Sequence, residues 1–348
     1  MNLLLGDISS YKAIIIAKFI RKNYPDYKIY SFDKRSFTKN VHTRYVDKHF
    51  LIKKYDVESF VKIINEYKID YFIPVINESL ALFWKYKNKF NKSLDYLGSF
   101  DTYEILNDKL KVHALAKELK IKVPERFDNL ESAIVPFIIK PTNLSSAKGV
   151  IYVNDISDIP KGIASKNVII QQYVKGKGVG YSFYCKKGEI IHGYGHKRLA
   201  EYPITGGTST YRTNYNNQDL YIAANRMVKK LNYTGFAMFE FKLTDTNELY
   251  LLEVNPRIWG SINQGLTNGY NYFEGIFGYP KSEIHIKKKP VNTYIGPLIY
   301  LSFLKYFLRL NLNPIMLFIK NIFTNVPDVS LIYDPKGYLS TIFRKLSS

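Results

Sequence analysis

The stretch FAMFEFKLTDTNELYLLEVNPRIWGS, residues 236–261, reads as two strands joined by a short polar turn. Its second strand sets an acid, an amide and a guanidinium among large apolar side chains. Alternate residues of a strand share a face, so Leu251, Glu253, Asn255 and Arg257 point one way while Leu252, Val254 and Ile258 point the other. With residues 245–248 as the loop, Thr244 faces Leu249, Lys242 faces Leu251, and Glu240 faces Glu253. Opposed side chains have Cβ atoms about 5 Å apart, and two carboxylates at that spacing repel unless a cation lies between them. Two readings follow. In one, Arg257 or Lys242 neutralises the acids in an internal salt-bridge network. In the other, a hard divalent cation is held by Glu240, Glu253 and the Asn255 amide oxygen, a donor set suited to magnesium. A slip of one residue in register would separate the pair.

The remainder of the chain is globular in composition, with 348 residues, 46% hydrophobic and 16% aromatic, enough for two or three structural units. Cys185 is the single cysteine, which excludes an internal disulfide framework and a cysteine-based zinc cage and agrees with a cytoplasmic location. The N-terminal MNLLLGDISSYK has no basic region ahead of its apolar run and reads as a first strand rather than a secretory signal. A net charge of +20 favours encounter with polyanions, acidic proteins or anionic lipid surfaces, although the lysines are scattered rather than blocked. No clustered basic-aromatic motif points to a specific nucleic acid.

Residues 1–100 alternate strand and helix patterns (NLLL, SYKAIIIAKFIRKNY, KIYSFD, DVESFVKIINEYK, DYFIPVI, NESLALFWKYKNKF), which predicts βαβ units on a parallel sheet. No GxGxxG follows the first strand, so the ordinary dinucleotide-binding reading loses its main support. Glu78 sits at a strand's carboxyl end, where ligands often bind. A helix is expected over SFDTYEILNDKLKVHALAKELK, with Asp101 as N-cap. Strands follow at VPFIIKP and NVIIQQYV, a hairpin turns near Lys187 and Gly188, and NQDLYIAANRMVKKLNY reads as a helix. Beyond about residue 290 come apolar helical segments interrupted by Lys305, Arg309, Pro314 and Lys320. They fall short of the ~20 apolar residues needed to span a bilayer, which leaves docking on the body or contact with a membrane surface. His42, His49, His113 and His285 lack ligand spacing, and Cys185 lacks a histidine partner, which argues against covalent catalysis.

In order and spacing these motifs resemble the ATP-grasp superfamily, from the N-terminus to about residue 275, and within it the carboxylate-amine ligase and carbamoyl-phosphate-synthetase-like group. The resemblance implies an α/β fold, α+β in the ATP clamp: a Rossmann-like domain over residues 1–100, a two-lobed ATP-grasp domain over 101–290 with lobes of about 125–175 and 176–290, and a helical extension over 291–348. It assigns ATP contacts to Lys109, to Lys140 in PFIIKP, to Lys148 beside Gly149 in NLSSAKGV, and to the hinge residues Gln171, Gln172, Tyr173 and Val174. It makes Glu240, Glu253 and Asn255 the ligands of magnesium, with manganese as an alternative. It makes Lys140 and Arg257 catalytic, with Lys140 reaching the nucleotide phosphates and Arg257 on the reacting phosphate or acyl group. The segment GHKRLAEYPITGGTSTYRT is similar to a basic Gly-Gly substrate loop, which assigns Lys197, Arg198, Gly206, Gly207 and Arg212 to an anionic substrate, Arg212 also to catalysis, and gives His196 a share of the positive charge. The phosphate loop is poorer in glycine than is usual, and an acid expected at the hinge is missing.

The implied activity is an ATP- and Mg-dependent ligase that converts a small anionic carboxylate to an acyl phosphate and passes it to an amine, as a monomer or homodimer. The rival expectations are action on an acidic carrier protein or surface polymer, and a non-catalytic ATP-binding regulator.

Overall fold

In a computed structural model, which describes residues 1–142, 149–160, 168–204, 206–280 and 283–347, the first strands form a parallel sheet. They are β1 (Asn2–Leu5), β2 (Lys28–Asp33), β3 (Lys48–Leu51) and β4 (Tyr71–Ile73), in the order β3-β2-β1-β4. The sequence pattern does not reveal β3, whose KHFL is short, half-buried and edge-placed. Helices α1 (Tyr11–Asn23) and α2 (Val57–Glu66) supply crossovers between these strands, and α3 (Asn77–Lys85) follows β4. Asp56 caps α2 by accepting from the Ser59 amide at 2.8 Å. Phe32, Phe60, Phe72 and Phe83 meet behind this sheet, with the Phe60 and Phe83 ring centres 4.5 Å apart.

The helix expected over residues 99–120 is two helices, α4 (Phe100–Asn107) and α5 (Lys109–Glu118). Asp108 breaks the run: its backbone is extended and its side chain accepts from the Leu110 and Lys111 amides, so it caps α5. Ser99, not Asp101, caps α4. This break places Lys109 at the start of a helix, aimed at the next sheet.

That second sheet is small, built from β5 (Arg126–Phe127), β6 (Phe137–Pro141), β7 (Ile151–Val153) and β8 (Val168–Gln172) around a core of Phe137, Ile139, Val153 and Ile170. The third sheet is the main platform, in the order β13-β12-β9-β10-β11-β14-β15. Its strands are β9 (Lys177–Lys186), β10 (Glu189–Tyr202), β11 (Thr208–Asn214), β12 (Gly235–Leu243), β13 (Leu249–Asn255), β14 (Thr293–Tyr294) and β15 (Val326–Pro327). The β9–β10 turn falls at Lys187 and Gly188, both at positive φ. Helix α6 (Gln218–Lys230) packs on its back, and α7 (Ile262–Thr267) and α8 (Glu274–Phe277) follow β13. One hydrophobic core runs from the first sheet into the third, and Tyr184 of β9 donates to the Tyr96 carbonyl at 3.0 Å across that junction.

The tail carries helices α9 (Gly296–Leu308), α10 (Asn313–Lys320) and α11 (Pro335–Leu346), and against expectation it also adds β14 and β15 to the main sheet. Its anchor is electrostatic. The fully buried Arg212 of β11 is ion-paired with Asp328, donates to Thr293 Oγ1 at 2.9 Å, and donates to the Ser209 carbonyl at 3.1 Å. Removing one member of a buried pair strands the other in a dry site. Asp328→Ala therefore lowers the free energy of unfolding by about 3–5 kcal/mol in urea titrations, and the apolar double replacement Arg212→Met with Asp328→Leu recovers most of that loss.

Candidate active site

The three sheets enclose a cavity of about 660 Å³. Strands β12 and β13 supply its floor, and Glu240 lies directly opposite Glu253. The turn does not deliver this pairing in the way the sequence suggests. Lys242 pairs with Tyr250 and Leu243 with Leu249, one residue out of the expected register, and a bulge between Glu240 and Phe241 restores the acids to opposite positions. An extra residue in one strand breaks strict alternation. Leu252 lines the cavity beside Glu253, while Leu251 turns into the core.

The acids are held by neutral and positive neighbours. The Asn255 amide donates to Glu240 Oε1 at 3.0 Å and to Glu253 Oε1 at 3.3 Å, and its carbonyl accepts from Arg257 Nη2 at 2.8 Å. Arg198 of β10 is ion-paired with Glu240 and stands 3.9 Å from Glu201. Burial opposes the charge of Arg198, but Glu240 and Glu201 together hold its pKa above the ordinary value. Burial pushes the Glu253 carboxyl up, and the facing charge of Glu240 adds to the effect. Among the described residues no group of three or more His, Cys, Asp and Glu side chains gathers for a metal. Two opposed carboxylates and an amide fit magnesium as a hard-oxygen donor set, since rotation of the Asn255 amide about its terminal bond exchanges its nitrogen for its oxygen.

Lys140 of β6 and Lys109 of α5 reach the cavity from the small sheet and the helix before it, and Lys109 donates to the Pro141 and Thr142 carbonyls at 3.4 and 3.3 Å. Gln171, Gln172, Tyr173 and Val174 line the same cavity along β8 and the turn after it. Lys148 lies outside the described residues.

The basic Gly-Gly segment is the β10–β11 hairpin rather than a loop, so its side chains part to two faces. His196 and Arg198 face the cavity together with Gly206 and Gly207. Gly207 has no room for a Cβ, which would sit 2.2 Å from the Tyr202 carbonyl oxygen, and Arg198 Nη1 donates to the Gly207 carbonyl at 3.1 Å. Lys197 points to the opposite face, its ammonium over the Tyr215 ring. Arg212 does not reach the cavity, because the pair with Asp328 in the sheet interior consumes it. Burial, with Arg198 and Arg212 nearby, pushes His196 down to about 3, so the ring is neutral rather than a source of charge. Glu78 lies on the surface, bound to Lys34 at 2.8 Å, and its neighbour Asn77 lines the cavity instead.

Several lining residues carry no motif. Ser10, Tyr11 and Lys12 enter from the β1–α1 junction, and Arg344 and Lys345 enter from α11 at the far end of the chain. Lys12 donates to the Val75 and Ile258 carbonyls at 2.9 and 3.2 Å, and Arg257 donates to the same Ile258 carbonyl at 3.2 Å. Arg344 donates to Ser9 Oγ at 2.9 Å and lies 4.0 Å from Asp33. The position of Lys12 just past a parallel strand is a signal the sequence offers; nothing in the sequence ties Arg344 or Lys345 to a site. In all, eight Lys and Arg side chains line the cavity against Glu240 and Glu253, which makes it a receptor for anions.

Burial pushes Lys140 down to about 8, against the attraction of Glu253 and with added repulsion from Lys109 and Arg126. The unfolded chain holds that proton to about pH 10.5. Between about pH 8 and 10.5 the unfolded state therefore binds more protons, and this group's contribution to stability rises with pH; below pH 8 the penalty applies in full. The rise amounts to about 3 kcal/mol. Urea midpoints measured from pH 7 to 10 should show the rise in the wild type and not in Lys140→Met; identical pH profiles would remove this account of Lys140.

Residues 106–261 match a family model described as an ATP-grasp domain. No curated protein matches the chain in sequence. Solved structures with the same fold include the biotin carboxylase domain of the Hydrogenobacter thermophilus 2-oxoglutarate carboxylase, in complex with MgADP, ADP and bicarbonate. That comparison has a TM-score of 0.62 at 12% identity and covers 84% of this chain and 72% of the other. The L-amino acid ligase of Bacillus licheniformis gives 0.61 at 18% identity, covering 85% and 80%. The N5-carboxyaminoimidazole ribonucleotide synthetase of Thermotoga maritima gives 0.60 at 15% identity, covering 84% and 78%. The matched segment begins at the end of α4, crosses the small sheet and ends just past the strand of Glu253 and Asn255, so residues 106–261 carry an ATP-grasp domain.

Proposed function

We propose that the protein is an ATP-dependent ligase that activates a substrate carboxylate as an acyl phosphate and transfers the acyl group to an amine, releasing ADP and phosphate. The observation that carries this reading is the directly opposed pair Glu240 and Glu253 in a cavity also lined by Lys109, Lys140 and Arg257. Tyr173, Val174, Ile138 and Leu252 give apolar walls for a base beside the turn that follows β8.

Glu240, Glu253 and Asn255 would hold magnesium, which when bound neutralises phosphate charge and orients the polyphosphate. Lys140 and Lys109 approach from the opposite lobe and neutralise the phosphates from that side. A substrate carboxylate oxygen attacks the γ-phosphorus, and the bond from that phosphorus to the bridging oxygen breaks as ADP leaves. The amine nitrogen then attacks the acyl carbon, the carbon–oxygen bond to phosphate breaks, and the nitrogen's proton passes to the departing phosphate. Alignment and charge neutralisation do this work, with no covalent enzyme intermediate. Cys185 agrees with that, since it is buried and burial pushes its thiol up to about 12.

Arg257, with Lys12, Arg344 and Lys345, lines the same cavity and offers donors to the substrate carboxylate. In this reading α11 belongs to the substrate site.

Glu240→Gln and Glu253→Gln should each lower ATP turnover about 100-fold or more while leaving the thermal midpoint within a few degrees; retained turnover removes the metal assignment. Hydroxylamine added to ATP and a panel of carboxylic acids should trap a hydroxamate with particular acids. ADP release that needs bicarbonate and yields no hydroxamate would point to carboxylation instead. With the acid so identified, Arg344→Gln should raise its KM about 10- to 100-fold and leave the KM for ATP nearly unchanged; equal effects on both substrates would take α11 out of the acceptor site.

A further inference from the structure

Helix α9 is apolar on two faces, and only one of them is covered. Ile299 and Ser302 are fully buried and Phe303 and Tyr306 are half-buried against β10, β11 and α10, with Tyr306 hydrogen-bonded to the Glu201 backbone. Tyr300, Leu301, Leu304, Phe307 and Leu308 recur at helical spacing on the other side and are all exposed. Helix α10 repeats the arrangement: Pro314, Leu317 and Phe318 pack inward, whereas Met316 and Ile319 stand in solvent, followed by Ile322 and the fully exposed Phe323. Of the twenty-six large hydrophobic side chains exposed among the described residues, seventeen lie between residues 300 and 346. A contiguous apolar surface of this kind marks an interaction site.

The charge around this surface selects the partner. From residue 284 to residue 327 the chain contains no Asp or Glu, while it holds Lys287, Lys288, Lys289, Lys305, Arg309 and Lys320. Lys305, Arg309 and Lys320 stand exposed on and beside the two helices. A second copy of the chain would bring the same cations face to face. An anionic lipid surface supplies both an apolar phase for the leucines and phenylalanines and negative headgroups for the lysines and arginine. No helix among the described residues is long and apolar enough to cross a membrane, so the helices can lie on a bilayer but not through it.

We infer that α9, α10 and the turns after them form an interfacial docking face for anionic lipid bilayers. The inner side of α9 packs on β10, which carries Arg198, and on β11, with Gly206 and Gly207 in the turn between them, so docking holds the cavity at a fixed height above the headgroups. This inference stands on exposed surface alone and is independent of the ligase reading.

The test is sedimentation of the full chain with vesicles of phosphatidylcholine, alone or with one third phosphatidylglycerol. The protein should sediment with the anionic vesicles and remain largely free with the neutral ones. Binding should fall about fivefold for each of Lys305, Arg309 and Lys320 changed to Gln. The combined change Leu304→Ser, Phe307→Ser and Phe323→Ser should lower binding at least tenfold while leaving the thermal midpoint in place. Phe323→Trp should be quenched by brominated lipid, against a background of Trp84 and Trp259 that are both buried. No sedimentation with anionic vesicles at low salt, or binding unmoved by the serine changes, would overturn the inference. So would a dimer in solution that the serine changes dissolve, because the face would then join copies of the chain.

Discussion

Two carboxylates facing each other across a hairpin carry a cost that the surrounding structure is arranged to meet. Glu240 and Glu253 repel, and burial raises the penalty on Glu253 further. Every neighbour answers that repulsion. Asn255 donates to both acids, Arg198 closes on Glu240, and Lys140 is attracted to Glu253 from the small sheet. The bulge after Glu240 is what makes the opposition possible, for without it Glu240 would face Leu252 and Glu253 would turn to the other side of the sheet.

The rest of the architecture brings distant cations to that floor. Lys12 arrives in the first turn of α1, Lys109 on a helix begun by the Asp108 cap, and Arg344 and Lys345 on the last helix. The tail is positioned through the Arg212–Asp328 pair and through two short strands added to the main sheet. An ion pair in the sheet interior is therefore part of what places a cation in the cleft.

The acid pair, the lysine of β6 and the glutamines at the end of β8 are legible in the sequence because each is a polar group in an apolar strand, and strand periodicity then gives its side. Periodicity fails where the backbone departs from it. The bulge exchanged Leu251 and Leu252, and treating residues 195–213 as a loop put Lys197, Arg198 and Arg212 in one site, when the hairpin turns Lys197 to the other face and Asp328 holds Arg212 away from the cavity. Arg212 is the instructive case, since its charge suggested a ligand while the partner that consumes it, Asp328, lies 116 residues away in sequence. Arg344 and Lys345 left no trace, because a basic pair near the end of an amphipathic helix looks the same whether it meets solvent or a cleft.

Arg198 has a consequence for the charge of the cleft. Its guanidinium sits on Glu240 as a resident counter-ion, so the acid pair is partly neutralised by the chain's own residues. On the proposed magnesium reading, loading would exchange one cation for another. A divalent ion arriving alone would compete with a tethered arginine, whereas one escorted by a polyphosphate would bring the displaced arginine a new anion to hold.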